Sequence, residues 1–212
     1  MDEELCVGCG TCVSLCEYNA VRIVERARDR LVSEVNPAQC KGCGVCAAQC
    51  PSRAITMNKF TGGQMVSAIK AALLDLDPSK QKVLCIFCNW CAYAGADMAG
   101  VSRYQYPPMF EIIRSMCTGR IDSLWILYAL ILGADGVVIG GCHTGDCHYI
   151  SGNTKAEEML NRVREMLKLT KIKPERVLDL WVSAGEGKIL AEELNKFAEK
   201  LTALGPNPYR RS

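Results

Sequence analysis

The chain has 212 residues, 49% of them hydrophobic, and carries a formal charge of +2 from 25 basic and 23 acidic side chains. That length suits one medium domain or a small and an ordinary one, and that apolar content excludes wholesale disorder. The basic residues are scattered, which excludes the clustered face of a nucleic-acid binder.

Cysteine is the outlier, with 14 residues. A disulfide scaffold and metal ligation both produce such counts. The acidic start Met1-Asp-Glu-Glu-Leu5 stands where a signal peptide would carry basic residues. A cytoplasmic location, where thiols stay reduced, is therefore expected, and it favours metal.

The first elements are a repeat. Cys6-Val-Gly-Cys9-Gly-Thr-Cys12-Val-Ser-Leu-Cys16 recurs as Cys40-Lys-Gly-Cys43-Gly-Val-Cys46-Ala-Ala-Gln-Cys50, and Ala20-Val-Arg-Ile and Ala54-Ile-Thr-Met follow at the same offset. A Cys-x-x-Cys-x-x-Cys loop supplies three thiolates to one cubane. Gly8, Gly10, Gly42 and Gly44 let the backbone amides turn toward cluster sulfur. Across residues 1–60 the chain resembles the bacterial-type two-cluster ferredoxins, in which the fourth cysteine of each run ligates the other cluster. The expected ligands are Cys6, Cys9, Cys12 and Cys50 for one 4Fe–4S cluster and Cys16, Cys40, Cys43 and Cys46 for the other. Pro51 follows Cys50 as in that family, whereas Glu17 follows Cys16 where proline is usual. Zinc is disfavoured, because its paired knuckles need no third and fourth cysteine in one run.

After Gly62-Gly63, the recurrence of Met65, Ile69, Leu73 and Leu76 predicts a linker helix within 61–80, ended by Asp77-Pro78. Strands are predicted at Val83–Phe87, Met109–Met116, Val137–Gly140 and Val177–Val182. A helix capped by Asp122 runs through Leu132 to Gly133. Thr154 with Glu157, and Ser183 with Glu186, read as capping boxes before two amphipathic helices, the second stopped by Gly205-Pro206. The apolar stretch Leu124–Gly141 contains Asp135, which argues against a membrane span. The expected fold is an α+β ferredoxin-like domain (1–60), then an α/β domain (81–206) with a four-stranded, mostly parallel, doubly wound sheet, and a tail at 207–212.

Six cysteines fall in the second domain. Cys88, Cys91, Cys117, Cys142 and Cys147 follow predicted strands, where an open α/β sheet places its ligand site; Cys85 lies inside a strand and reads as core. Four of the five suffice for a 2Fe–2S cluster. Spacing leaves the spare open, and it does not exclude zinc or a Cys88–Cys91 dithiol centre as lesser alternatives. Phe87-Cys-Asn-Trp-Cys-Ala-Tyr-Ala-Gly-Ala-Asp97, Cys117-Thr-Gly-Arg120, Gly133-Ala-Asp-Gly136 and Gly141-Cys-His-Thr-Gly-Asp-Cys-His-Tyr149 with Gly152-Asn153 occur in order. Over residues 81–205 these motifs resemble the hydrogenase iron–sulfur subunit family, the delta subunit of methyl-viologen-reducing hydrogenase.

The resemblance implies one 2Fe–2S cluster and a role in electron transfer within a larger complex, with no substrate site of its own. It also implies electron passage between a hydrogenase or formate dehydrogenase and the flavin subunit of heterodisulfide reductase. Most members lack a ferredoxin domain, and the present arrangement looks like the C-terminal end of flavin-subunit fusions. Rival readings are a dithiol oxidoreductase using Cys88 and Cys91, and a redox-sensing interaction module.

The remaining residues have ordinary readings. His143 and His148 are expected to hydrogen-bond or face a partner rather than ligate, and Trp90 and Tyr93 to pack around the cluster loop. Arg120 either offsets cluster charge or pairs with a carboxylate. Gly185-Glu-Gly-Lys188 fails as a phosphate loop because Val182 and Ile189 stand where Gly and Ser or Thr are needed. Without a GxGxxG after a strand, no nucleotide or flavin site is expected.

Overall fold

The computed structural model describes residues 1–27, 29–74 and 80–210. The N-terminal repeat forms two matched halves. Each loop turns through a left-handed glycine, Gly10 at φ 76° and Gly44 at φ 80°, into a short helix: α1 (Thr11–Ser14) and α2 (Val45–Gln49). That φ is open to glycine at no steric penalty. Between them β1 (Val21–Arg26) pairs antiparallel with β2 (Arg30–Val35), Val21 opposite Val35. The buried apolar centre is small: Cys12, Val21 and Ile55, flanked by Cys16, Cys46 and Cys50.

The second domain is a parallel sheet of β3 (Val83–Cys88), β4 (Phe110–Ser115), β5 (Gly136–Gly141) and β6 (Val177–Trp181). Its order is β4-β3-β5-β6, and every described pairing is parallel. β3 and β5 are buried along their whole length, as continuous apolar runs covered on both faces must be. One face carries α3 (Gly62–Leu74), α5 (Ser123–Ile131) and α6 (Gly152–Leu167); the other carries α4 (Ala92–Val101) and α7 (Gly187–Leu204). The helix after Gly62 thus buries Met65, Ile69 and Leu73 in the sheet's core. Its expected continuation through Leu76 to Asp77-Pro78 lies outside the described residues.

Asp122 caps α5 as expected, its carboxylate accepting from Leu124 N at 2.9 Å. The two capping boxes form differently. α6 begins earlier, at Gly152, because Asn153 supplies the local acceptor for Thr154 N at 2.9 Å. Before α7 only half the box forms: Glu186 reaches back to Ser183 N at 2.6 Å, and the helix starts at Gly187. Leu124–Gly141 divides into α5 and β5, and no helix among the described residues is long and apolar enough to cross a membrane.

The amino edge of the sheet is pinned by polar groups. Buried Asp135 accepts from Lys82 N and Asn207 N, each at 3.0 Å, and pairs with Arg210 at 3.3 Å. Buried Arg176 donates to the carbonyls of Asp135, Gly205 and Pro206 at 2.7–2.9 Å. These bonds fasten the C-terminal segment across the sheet, leaving the carboxyl edge as the face where the cysteines gather.

Candidate iron–sulfur sites

Cys6, Cys9, Cys12 and Cys50 line one cavity, together with Ile23, Ser33, Pro51 and Ile55. Ser33 N, on β2, donates to Cys6 Sγ at 3.3 Å. Burial raises the Cys6 thiol, but donors at Gly8 and Ser33 outweigh it and bring the group below its ordinary value. Cys16, Cys40, Cys43 and Cys46 form the second nest, each close enough to feel its neighbours' charge. There burial, then Cys43 and Cys40, pushes Cys46 up to about 12. Four thiols converging without another ligand type is the donor set of a cubane.

In the second domain, ligand groups collect at the topological switch between β3 and β5, where the chain turns to opposite sides of the sheet. Cys88 ends β3 and Cys142 follows β5; their sulfurs lie 3.9 Å apart. With Cys91 they form a trio whose sulfurs all lie within 4.8 Å of one another. A tetrahedral metal with bonds of about 2.3 Å spaces its thiolates by roughly 3.8 Å, so the Cys88–Cys142 spacing fits such a centre. Cys117, after β4, neighbours Cys147, and Cys142 reaches Cys147 in turn. All five thiols therefore form one continuous group.

Proton sharing within it splits the thiols. The Cys142 S–H lowers Cys88 to about 6, and Cys117 and Cys142 draw Cys147 down. Cys117 and Cys142 move up because their neighbours hold them protonated. Cys85 stands apart, fully buried in β3 with its thiol raised by desolvation.

The supporting shell is specific. Asn153 Nδ2 donates to the carbonyls of Cys142 and His143 at 3.2 and 2.6 Å, fixing the loop. His143 Nε2 is 2.6 Å from Glu186, and His148 stacks on Trp90 with ring centres 4.0 Å apart. Trp90 donates to the Tyr149 hydroxyl at 3.0 Å, while half-exposed Tyr93 lies under Arg114. Gly152 is required by closeness: a methyl group there would sit 2.1 Å from Cys117 Sγ.

The two domains meet beside these thiols. Glu17 accepts a hydrogen bond from Ser151 Oγ at 2.5 Å, and Arg53 pairs with Asp122 at 3.4 Å. Arg120, 4% exposed, lies over the Trp125 ring at 4.5 Å and donates to the Phe60 carbonyl at 3.1 Å. No carboxylate bonds it among the described residues, and its Nε has no partner there, a loss worth about 1–3 kcal/mol for a buried donor. The charge on Cys43 is felt at Cys117, and Tyr18 and Tyr149 lie within range of both. The expectation from sequence included neither Tyr18 nor Ser151. Tyr149 and Gly152 lay in a recognised motif but had no assigned role.

A 4Fe–4S-type repeat joined to a parallel sheet with a thiol-lined carboxyl edge defines an iron–sulfur protein. Residues 1–57 match the 4Fe–4S dicluster domain, and residues 83–205 match the family described as methyl-viologen-reducing hydrogenase, delta subunit. The chain belongs to that family. It is similar to a subunit of the ferredoxin:CoB-CoM heterodisulfide reductase of Methanosarcina mazei, 39% identical over 206 residues, covering 97% of this chain and 25% of that protein. It is also similar to the iron–sulfur subunit of the F420-non-reducing hydrogenase of Archaeoglobus profundus, 46% identical over 129 residues, covering 61% of this chain and 94% of the relative. The iron–sulfur subunit of the vhc F420-non-reducing hydrogenase of Methanococcus voltae is 50% identical over 125 residues, covering 59% and 87%. The chain thus spans about a quarter of the heterodisulfide reductase subunits it matches and nearly the whole of the hydrogenase subunits.

Proposed function

We propose that the chain relays electrons along a line of three iron–sulfur centres. Two are 4Fe–4S clusters, held by Cys6, Cys9, Cys12 and Cys50 and by Cys16, Cys40, Cys43 and Cys46. The third is a 2Fe–2S cluster held by four of Cys88, Cys91, Cys117, Cys142 and Cys147. The observation that carries this reading is the continuity of the thiols. The two N-terminal nests share the apolar cluster of Cys12, Cys16, Cys46 and Cys50, and the charge of Cys43 reaches Cys117 across the domain seam. Such clusters supply one-electron uptake and release; the residues around them supply burial, hydrogen bonds to sulfur and docking surfaces, which set the potentials.

The relatives' names supply a hydrogenase and a heterodisulfide reductase as the proposed setting. In this reading the second domain exchanges electrons with a hydrogenase, or with a formate dehydrogenase as the family resemblance implies, and the ferredoxin domain exchanges them with a flavin-bearing heterodisulfide reductase-type subunit. The test is EPR with iron and zinc quantification on anaerobically purified protein. Two cubanes and one rhomb give about 10 irons per chain with little zinc; stoichiometric zinc with about 8 irons would remove the 2Fe–2S centre from the reading. Within it, Cys88→Ser and Cys142→Ser are expected to bleach the 2Fe–2S signal, as is Cys117→Ser, since Cys117 lies beside Cys147 at the seam.

One observation favours the dithiol reading: a Cys88 thiol lowered to about 6. Its 2% exposure and the third thiol beside it weigh against a substrate-facing nucleophile. Rapid alkylation of Cys88 in the native, iron-loaded protein would reverse that judgement.

A further inference from the structure

The two halves of the ferredoxin repeat are not electrically equivalent. Gly10 and Gly44 occupy matching positions, each opening the short helix that follows its cysteine loop. A methyl group at Gly10 would meet nothing within 4 Å, whereas one at Gly44 would meet Arg120 Cδ at 2.5 Å. The Arg120 side chain therefore lies against Gly44 in the Cys43–Cys46 loop, while the matching Gly10 is open and the first nest feels a different cation, Arg30, at Cys6. The carboxylate whose charge Arg120 feels most is Asp122. That carboxylate is shared, being also bonded to Leu124 N and paired with Arg53, and among the described residues Arg120 itself bonds the Phe60 carbonyl and lies on the Trp125 face.

We propose that Arg120 is the positioning cation that makes the cluster held by Cys16, Cys40, Cys43 and Cys46 easier to reduce than its twin. The proposal deepens the relay reading and rests on it. Reduction adds one negative charge to a cluster, the electron coming from a neighbouring centre that is oxidised by one. A fixed cation on a water-poor seam stabilises the reduced form, and more so the closer it lies. Because Arg120 lies against Gly44 in the seam nest while the matching Gly10 is open, it acts unequally on the two potentials and favours the electron at the seam. The guanidinium suits the place: it stays charged when buried, is weakly hydrated and stacks on an aromatic face.

The experiment is an EPR-monitored redox titration of the iron-loaded chain as wild type, Arg120→Gln and Arg120→Lys. Arg120→Gln should lower the equilibrium constant for reduction of one cubane about tenfold, or about 59 mV for one electron. That cubane should be the one lost in Cys40→Ser, and the other should move much less. Arg120→Lys should keep most of the wild-type value. Equal shifts of both cubanes, no shift, or a Lys variant displaced as far as the Gln variant would overturn the proposal. If Arg120→Gln fails to hold iron, Asp122→Asn, which preserves the helix cap, reads the same field with opposite sign. The seam cubane should then become easier to reduce, and an unchanged potential would overturn the proposal. A wild-type protein lacking two cubane signals would instead remove the relay reading.

Discussion

The N-terminal domain brings eight cysteines together on two sequence-local loops around an apolar centre of Cys12, Val21 and Ile55. The α/β domain gathers five thiols from the ends of three strands, over two extensive apolar layers. In the first, the cysteines make up much of the core; in the second, a core made mostly of other side chains, into which Cys88 and Cys142 pack, brings the thiols to one edge. The difference teaches which domain depends on its metal. A small chain segment with few buried apolar groups gains its folding energy from the metal it binds, whereas the sheet has its own.

Iron removal puts that contrast to its hardest test. After chelation, amides of β1 and β2 should lose hydrogen-exchange protection by about 100-fold or more while β3 and β5 keep theirs. Equal loss in both domains would erase the distinction. A smaller effect is expected from Cys16→Ser, which should abolish the cubane held by Cys40, Cys43 and Cys46, and leave the one built on Cys6, Cys9 and Cys12. EPR would show the reverse if each run served its own cluster.

In the α/β domain, Gly152→Ala drives a methyl group into Cys117 Sγ. It should cost about 1–3 kcal/mol of stability and about 2 irons per chain, with the N-terminal signals intact by EPR. Cys85→Ala should be the mildest. It is expected to keep every cluster and to lower stability by about 1 kcal/mol in denaturant titration, because that thiol fills core and touches no other cysteine.

Legibility followed the same divide. The cubane runs could be grouped from spacing, since Cys-x-x-Cys-x-x-Cys is local and the repeat doubles it. The strand ends were also legible: periodicity placed β3 through β6 to within a residue or two, because buried parallel strands read as apolar runs. What stayed hidden was long-range and polar. Arg176 and Asn207 pin Asp135 from the far end of the chain, and no local pattern announces that. The capping signature at Thr154 misplaced the start of α6, which begins at Gly152, and at Ser183 only Glu186's half of the box forms, with α7 starting at Gly187. Glu17 stood out as a departure from proline, but only the fold supplies its partner, Ser151, 134 positions away.

That last contact has a consequence for speed. Electron tunnelling weakens exponentially with the width of the gap, so a hinge at the seam would make transfer fitful, fast only in rare close approaches. Glu17 follows Cys16 directly and Ser151 precedes Gly152, which abuts both the Cys117 sulfur and Gly119. Val45, beside Cys46, closes on Gly119 from the other side, a methyl group there meeting it at 2.8 Å. The gap between the two thiol groups is therefore bridged on both sides by contacts of short reach, Glu17 with Ser151 and Val45 with Gly119, which hold its width.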